Sequence, residues 1–178
     1  MPRMSLDLRY PVGPYQRTPR PDARARRAAL DDIARLPARL AGAVAGLSDA
    51  QLDTPYRPDG WTARQVVHHV PDSHVNAYVR MKLIATEDRP ALQTYDEKAW
   101  ADQPEARHAP IAMSLTLIEA LHACWVAWLE SLDKATLART AQHPDWGEVS
   151  IDELIQLYGW HGRHHVAHIT ALREREGW

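Results

Sequence analysis

Cysteine is almost missing from this chain: Cys124 is the only one in 178 residues. One thiol excludes an intrachain disulfide and suits a reducing cytoplasm. No run reads as long and apolar enough to span a membrane. The first residues, Met1-Pro-Arg-Met-Ser-Leu-Asp-Leu8, have no signal-peptide apolar region. The expectation is a cytoplasmic protein without a membrane partner. Charge of one sign is also lacking. A formal charge of -2 gives no broad basic footprint and argues against nucleic acid as the main partner. The local run Arg20-Pro-Asp-Ala-Arg24-Ala-Arg26-Arg27 contains acid and alanine and reads as a solvent-facing helix start. Internal repeats and low-complexity segments are absent. Strand-like alternation is nearly so, with Glu148-Val-Ser-Ile151 the one short candidate.

What is present is helical. The 45% apolar and 25% charged residues are ordinary for a globular protein, and the length fits a single domain over residues 1–178 with a real core. Residues 1–21 are rich in proline and read as an extended N-terminal arm. A first helix is expected from about Asp22 to Gly46, on the spacing of Leu30, Ile33, Leu36, Leu40 and Val44, with a kink at Pro37. Ser48–Leu52 reads as a short helical turn, and Asp53–Gly60 as a linker with turn chemistry. A second helix is expected from about Trp61 to Thr86, its apolar edge formed by Val66, Val70, Ala77, Met81 and Ile84, with a local bend at Pro71. Residues 88–112 carry Pro90, Pro104 and Pro110. They read as a long loop with a short helical piece near Asp96–Ala101, a length that points to a cover or a functional loop. The third and fourth helices are expected over about Met113–Leu132 and Ile151–Glu174, with a turn at His143–Gly147. The fold class is all-α: a four-helix bundle, in which metal sites form from facing core side chains.

Six of the ten histidines fall in two clusters, His68-His69 and His161-Gly-Arg-His164-His165-Val-Ala-His168. At 100° per residue, Leu154, Leu157, Tyr158, His165, His168 and Leu172 all lie within about 60° of His161. His161 and His165 therefore share the inward face at metal-binding i, i+4 spacing. His164 and His168 form a second such pair, but His164 sits further from the centre of the stripe. His168 suits a hydrogen-bond partner to a ligand, or an alternative ligand. On the second helix, His69 shares a polar face with Thr62, Gln65, Ser73 and Asn76, as a pocket wall would, and His68 points about 100° away. His69, His161 and His165 thus make a candidate facial trio. Three neutral nitrogens leave coordination positions open for reaction.

Competing readings fit less well. An inward histidine is usually a satisfied core residue, yet burying four within eight residues without a ligand leaves many polar groups to satisfy. The zincin pattern needs Glu directly after the first histidine, where this chain has Gly162. A carboxylate di-metal bundle needs two Glu-x-x-His motifs on core helices. Glu119-Ala-Leu-His122 supplies one, and Glu105-Ala-Arg-His108 matches in letters only, between two prolines. A bis-histidine haem does not explain the i, i+4 pair. Cys124 reads as a packed thiol. Trp125 and Trp128 read as core, and Trp160 could shape a pocket. Asp72 is either a partner of a ligand or solvated. Arg64 and Arg163 are either anion-binding or exposed.

At these residues the chain resembles a known family. Trp61-Thr-Ala-Arg-Gln-Val-Val-His68-His69-Val and Trp160-His161-Gly-Arg-His-His165-Val-Ala-His168-Ile are similar to the two metal motifs of the DinB-like superfamily. Leu8–Gly13, Gln51–Arg57, Asp72-Ser-His74-Val-Asn76-Ala-Tyr78, Tyr95–Trp100, His143-Pro and Gly177-Trp178 resemble its YfiT subfamily. The likeness covers nearly the whole chain and weakens between Asp102 and Ala112. It implies a four-helix bundle with one divalent metal, usually zinc or nickel, on His69, His161 and His165, and a homodimer. It also implies either metal-dependent hydrolysis or thiol S-transfer of the bacillithiol type.

A cation on three neutral ligands could lower the pKa of water, for hydrolysis of a small ester or amide, or of a thiol, for transfer to an electrophilic small molecule. No carboxylate base lies within the motifs, which favours the thiol. The remaining alternative is a non-catalytic metal-binding stress protein. That reading predicts a closed ligand set or no cleft.

Overall fold

The computed structural model describes residues 7–178. The start of the expected arm, residues 1–6, and with it most of the segment read for a signal peptide, lies outside the described residues. Four long helices form the bundle: α1 (Ala23–Val44), α3 (Ala63–Thr86), α6 (Ala112–Glu130) and α8 (Ile151–Glu176). Short helices α2 (Asp49–Leu52), α4 (Glu97–Ala101), α5 (Pro104–His108) and α7 (Lys134–Leu137) occupy the connections. The ends are set by local chemistry. The Asp22 side chain caps α1, Ser150 caps α8, and Thr62 with Gln65 forms a reciprocal capping box on α3. Gly177, at φ 74°, closes α8 in the left-handed conformation.

Each long helix packs on two others: α1 and α3 both pack on α6 and α8. Two apolar clusters fill the interior at opposite ends. One holds Ile33, Ala77, Trp125 and Ile155, the other Leu40, Val66, Ile118 and Ile169. The order in which each helix visits them shows that α1 runs parallel to α8, and α3 parallel to α6. Two parallel neighbours need a connection that travels the full length of the bundle. This explains the long segment between α3 and α6. It is not one loop with one helical piece: it carries both α4 and α5, packed on α3.

Several expectations are corrected. Residues 140–150 form a hairpin, β1 (Thr140–His143) and β2 (Gly147–Ser150), paired antiparallel with Ala141 opposite Val149. The second strand falls on the Glu148–Ile151 candidate and the turn on His143–Gly147; the unexpected part is β1, whose four residues show no alternation. α3 is one helix through Pro71, within the span expected for it. Burial of Val66, Val67 and Val70 offsets the lost backbone hydrogen bond. α6 is in fact long and apolar enough to cross a membrane by length and composition. In the bundle it packs one face inward through Ser114, Ile118, His122, Trp125 and Leu129. Cys124 is exposed rather than packed, because it sits beside Trp125 on the helix and Trp125 takes the inward direction.

Candidate metal centre

The pocket lies where α3 and α8 face each other, with the arm along one side. Its volume is about 860 Å³, and His69, His161, His164, His165 and His168 line it. Trp61, Gln65 and Trp160 shape the wall; Arg9, Arg57, Lys98 and Arg107 bring positive charge to it and Asp59, Glu97 and Asp102 negative charge, with Arg107 paired to Asp102. Gln65 serves twice: besides capping α3, its side-chain amide donates to the Ala101 carbonyl at 2.7 Å. The arm is tied to α8 by Trp160, whose indole N–H donates to the Gly13 carbonyl at 3.1 Å.

His69, His161 and His165 each offer one ring nitrogen, and the three nitrogens lie within 4.8 Å of one another. The ring centroids of His69 and His165 are 4.8 Å apart, those of His161 and His165 4.4 Å. Burial pushes the His69 pKa down to about 4, and those of His161 and His165 well below the usual histidine value; neighbouring imidazoles add to each shift. All three are therefore neutral at pH 7, the form a metal requires. His165 Nδ1 is buried with no hydrogen-bond partner. Three neutral, converging imidazoles with an unpartnered buried nitrogen fit a divalent cation of the zinc type.

His164, His165 and His168 form a second convergent group, again within 4.8 Å. His168 Nε2 donates to the Arg9 carbonyl at 3.2 Å, which leaves Nδ1 as its lone-pair nitrogen. Nδ1 of His164 and of His168 is buried and unpartnered. His164 lies flat against Trp160, with centroids 4.4 Å apart. The two groups share His165.

The other sequence candidates fall elsewhere. Both nitrogens of His68 are engaged away from the pocket, Nδ1 at 2.7 Å from Ser114 Oγ and Nε2 at 3.1 Å from the Ala109 carbonyl. Arg64 is neither anion-binding nor exposed. It is buried and clamps Asp53 and Asp49 at 2.6 and 2.8 Å. Arg163 is exposed and paired with Asp32. Asp72 does not line the pocket, and burial together with Glu105 raises its pKa to about 6. Glu119 is exposed on α6, so no carboxylate accompanies His122 inward.

Sequence reasoning missed His74 and His122. Both are buried and they continue inward from the trio. His74 Nε2 is 3.0 Å from His161 Nδ1, His74 Nδ1 is 2.9 Å from His122 Nε2, and His122 Nδ1 is 2.7 Å from the Ile33 carbonyl. Burial pushes the His122 pKa down to about 4 and that of His74 well below the usual value. A signal existed: each occupies an apolar position of its helix, His74 between Val70 and Ala77, His122 between Ile118 and Trp125. The row crosses the bundle between the two apolar clusters.

A helical bundle with a histidine-lined pocket is a class shared with known proteins, and comparison places the chain within it. The DinB superfamily model matches residues 32–169, and the chain belongs to that superfamily. It is 47% identical over 172 residues to a Bacillus mycoides protein provisionally named a metal-dependent hydrolase, covering 97% of this chain and 99% of the relative. A similarly named Bacillus cereus protein is 46% identical with the same coverage. Among solved structures it is similar to YfiT from Bacillus subtilis, with a TM-score of 0.93 and 42% identity over 96% of this chain and 98% of that one. That protein is described as a probable metal-dependent hydrolase with an unusual four-helix bundle topology.

Proposed function

We propose that this chain is a metal-dependent enzyme that activates a small nucleophile on one divalent cation, zinc or nickel, held by His69, His161 and His165. The observation that carries the reading is the convergence of three neutral ring nitrogens at the edge of a pocket of about 860 Å³. A pocket of that size argues against a closed storage site and accommodates a substrate. A cation bound there supplies one thing, a lowered pKa for a water or thiol that joins it. The chain's own residues do the rest. Burial keeps the imidazoles neutral, Trp61 and Trp160 narrow the approach, and a wall of mixed charge, Arg57 and Lys98 with Asp59 and Glu97, surrounds the opening.

The nucleophile in this proposal is a low-molecular-weight thiol of the bacillithiol type, delivered to an electrophilic small molecule. One feature supports it: no carboxylate hydrogen-bonds the trio among the described residues. Hydrolysis of a small ester or amide is the second reading, favoured by the names of the relatives and by Glu97 on the pocket wall. The same proposal places the protein in the cytoplasm, given its one unpaired cysteine. It also pairs the protein as a homodimer, on the exposed Met113 and Leu117 of α6.

The test is thiol consumption with a chloronitrobenzene as electrophile. Chelation abolishes it, zinc or nickel restores it, and the pH–rate curve inflects below the free thiol's pKa of about 8.5. Equal rates without metal remove the metal reading. Ester cleavage without thiol consumption replaces the transferase with the hydrolase.

A further inference from the structure

The row His161–His74–His122 has a direction, and a proline sets it. In an α-helix the carbonyl of residue 33 accepts from the N–H of residue 37. Residue 37 is Pro37, inside α1, and has no N–H to give. The Ile33 carbonyl is thereby free, and His122 Nδ1 lies 2.7 Å from it. A carbonyl oxygen only accepts, so the proton of His122 is on Nδ1. A neutral imidazole carries one N–H, so His122 Nε2 accepts and His74 Nδ1, 2.9 Å away, donates. His74 Nε2 then accepts, and its partner at 3.0 Å, His161 Nδ1, donates. One lone pair stands at the end of the row, on His161 Nε2, with only the Ser73 hydroxyl near it, at 3.5 Å.

The surroundings support this order. The His74 and His122 planes differ by 18° with centroids 5.0 Å apart, and with the nitrogens at 2.9 Å the rings meet edge to edge. Trp125 and Tyr158 stand at 84–88° to His74, and Trp125 at 87° to His122, which blocks rotation of either ring. Among the described residues no acidic group hydrogen-bonds His74 or His122 and so none competes for their protons.

We infer that His122 and His74 are positioning residues that lock His161 in its Nδ1–H tautomer and so present the Nε2 lone pair to the cation, with the free Ile33 carbonyl as the fixed end of the row. The inference rests on the metal-centre reading above. His122 touches neither cation nor ligand and acts only through His74. Groups of this kind typically govern metal affinity by 10–100-fold.

The experiment has two arms. Long-range ¹⁵N–¹H spectra of the metal-free, ¹⁵N-labelled protein read the tautomer of each histidine. Competition with a zinc-binding dye reads affinity for zinc alone. Wild type is expected to hold His161 as a single Nδ1–H tautomer. His122→Phe keeps the shape but removes donor and acceptor, so it mixes the tautomers and weakens zinc about 10–100-fold. His122→Gln restores one donor and one acceptor and recovers most of both signals. A wild-type proton on His161 Nε2 overturns the inference, and that spectrum needs no variant to fold. So does a His122→Gln loss as large as that of His122→Phe, or an unchanged tautomer and affinity in His122→Phe. Ordered tautomers without zinc binding by the wild type remove the metal reading and leave the ordering in place. Disordered tautomers with tight zinc binding do the reverse.

Discussion

Gly159 of α8 lies directly against the backbone of Ala29 in α1: a Cβ at position 159 would stand 3.0 Å from the Ala29 Cα and 3.1 Å from its carbonyl oxygen. Backbone cannot step aside as a side chain can. Gly159→Ala should destabilise the protein by about 1–3 kcal/mol, despite the helix propensity that alanine adds. Gly42, in α1, has nothing within 4 Å of its notional Cβ. Gly42→Ala should stabilise by up to about 1 kcal/mol. Thermal melts of the two variants should therefore move in opposite directions, and a matching shift would contradict the packing.

Metal content should be about one divalent ion per chain. His161→Ala should lose it, and His164→Ala should keep it. Elemental analysis of the purified variants decides between the two convergent groups. Loss of metal in His164→Ala with retention in His161→Ala would move the ion to His164, His165 and His168.

Acid should destabilise the metal-free protein in a defined window. Burial holds the pKa values of His122, His164 and His168 down to about 4 in the folded state. Unfolded histidine takes its proton near pH 6.5. Below 6.5 the unfolded chain binds more protons than the folded one, so stability falls as pH drops towards 4. Asp72, raised to about 6, has the opposite sign between 6 and its unfolded value of 3.8, and one group does not outweigh three. Melts from pH 7.5 to 4.5 should lose a few kcal/mol, or roughly 5–10 °C in Tm. A flat profile would mean that these rings take up protons equally in the folded and unfolded states, so that burial does not lower their pKa values.

Glu153 is buried, and its carboxylate is met by Arg17 of the arm, which also donates to the Trp146 and Glu148 carbonyls at 2.8 and 2.6 Å. Arg17→Ala strands the carboxylate. Arg17 is partly exposed, so the cost should sit below that of a fully buried pair, at about 1–3 kcal/mol. The arm should also loosen, seen as faster chymotryptic cleavage at Tyr15. Unchanged cleavage would show the arm held by other contacts.

Much of this molecule was legible from periodicity. The four long helices follow the apolar spacing, and the inward face of α8 brings His161 and His165 together with His69 at one pocket. What periodicity does not carry is direction. Nothing in the local pattern shows that α3 and α6 run parallel, so the connection between them read as a loop with one helical piece, which is α4, rather than a return path with two helices. Of the hairpin, the turn and the second strand were legible, while β1, four residues without alternation, was not. His74 and His122 were passed over because a single histidine in an apolar stripe says nothing of its neighbours until the helices are packed. Pro37 was read for a kink alone, and its further effect, on the carbonyl four residues earlier, needs His122 in place to be seen.

The inner end of the histidine row is a peptide oxygen, which neither releases a proton nor keeps one. A wire that stops at such a terminus can set polarity but carries no net current. Protons set free when a nucleophile is activated in the pocket therefore have no exit through the bundle interior along this row. Under the proposed function the route left to them is the mouth of the pocket beside the arm, where solvent reaches the histidines.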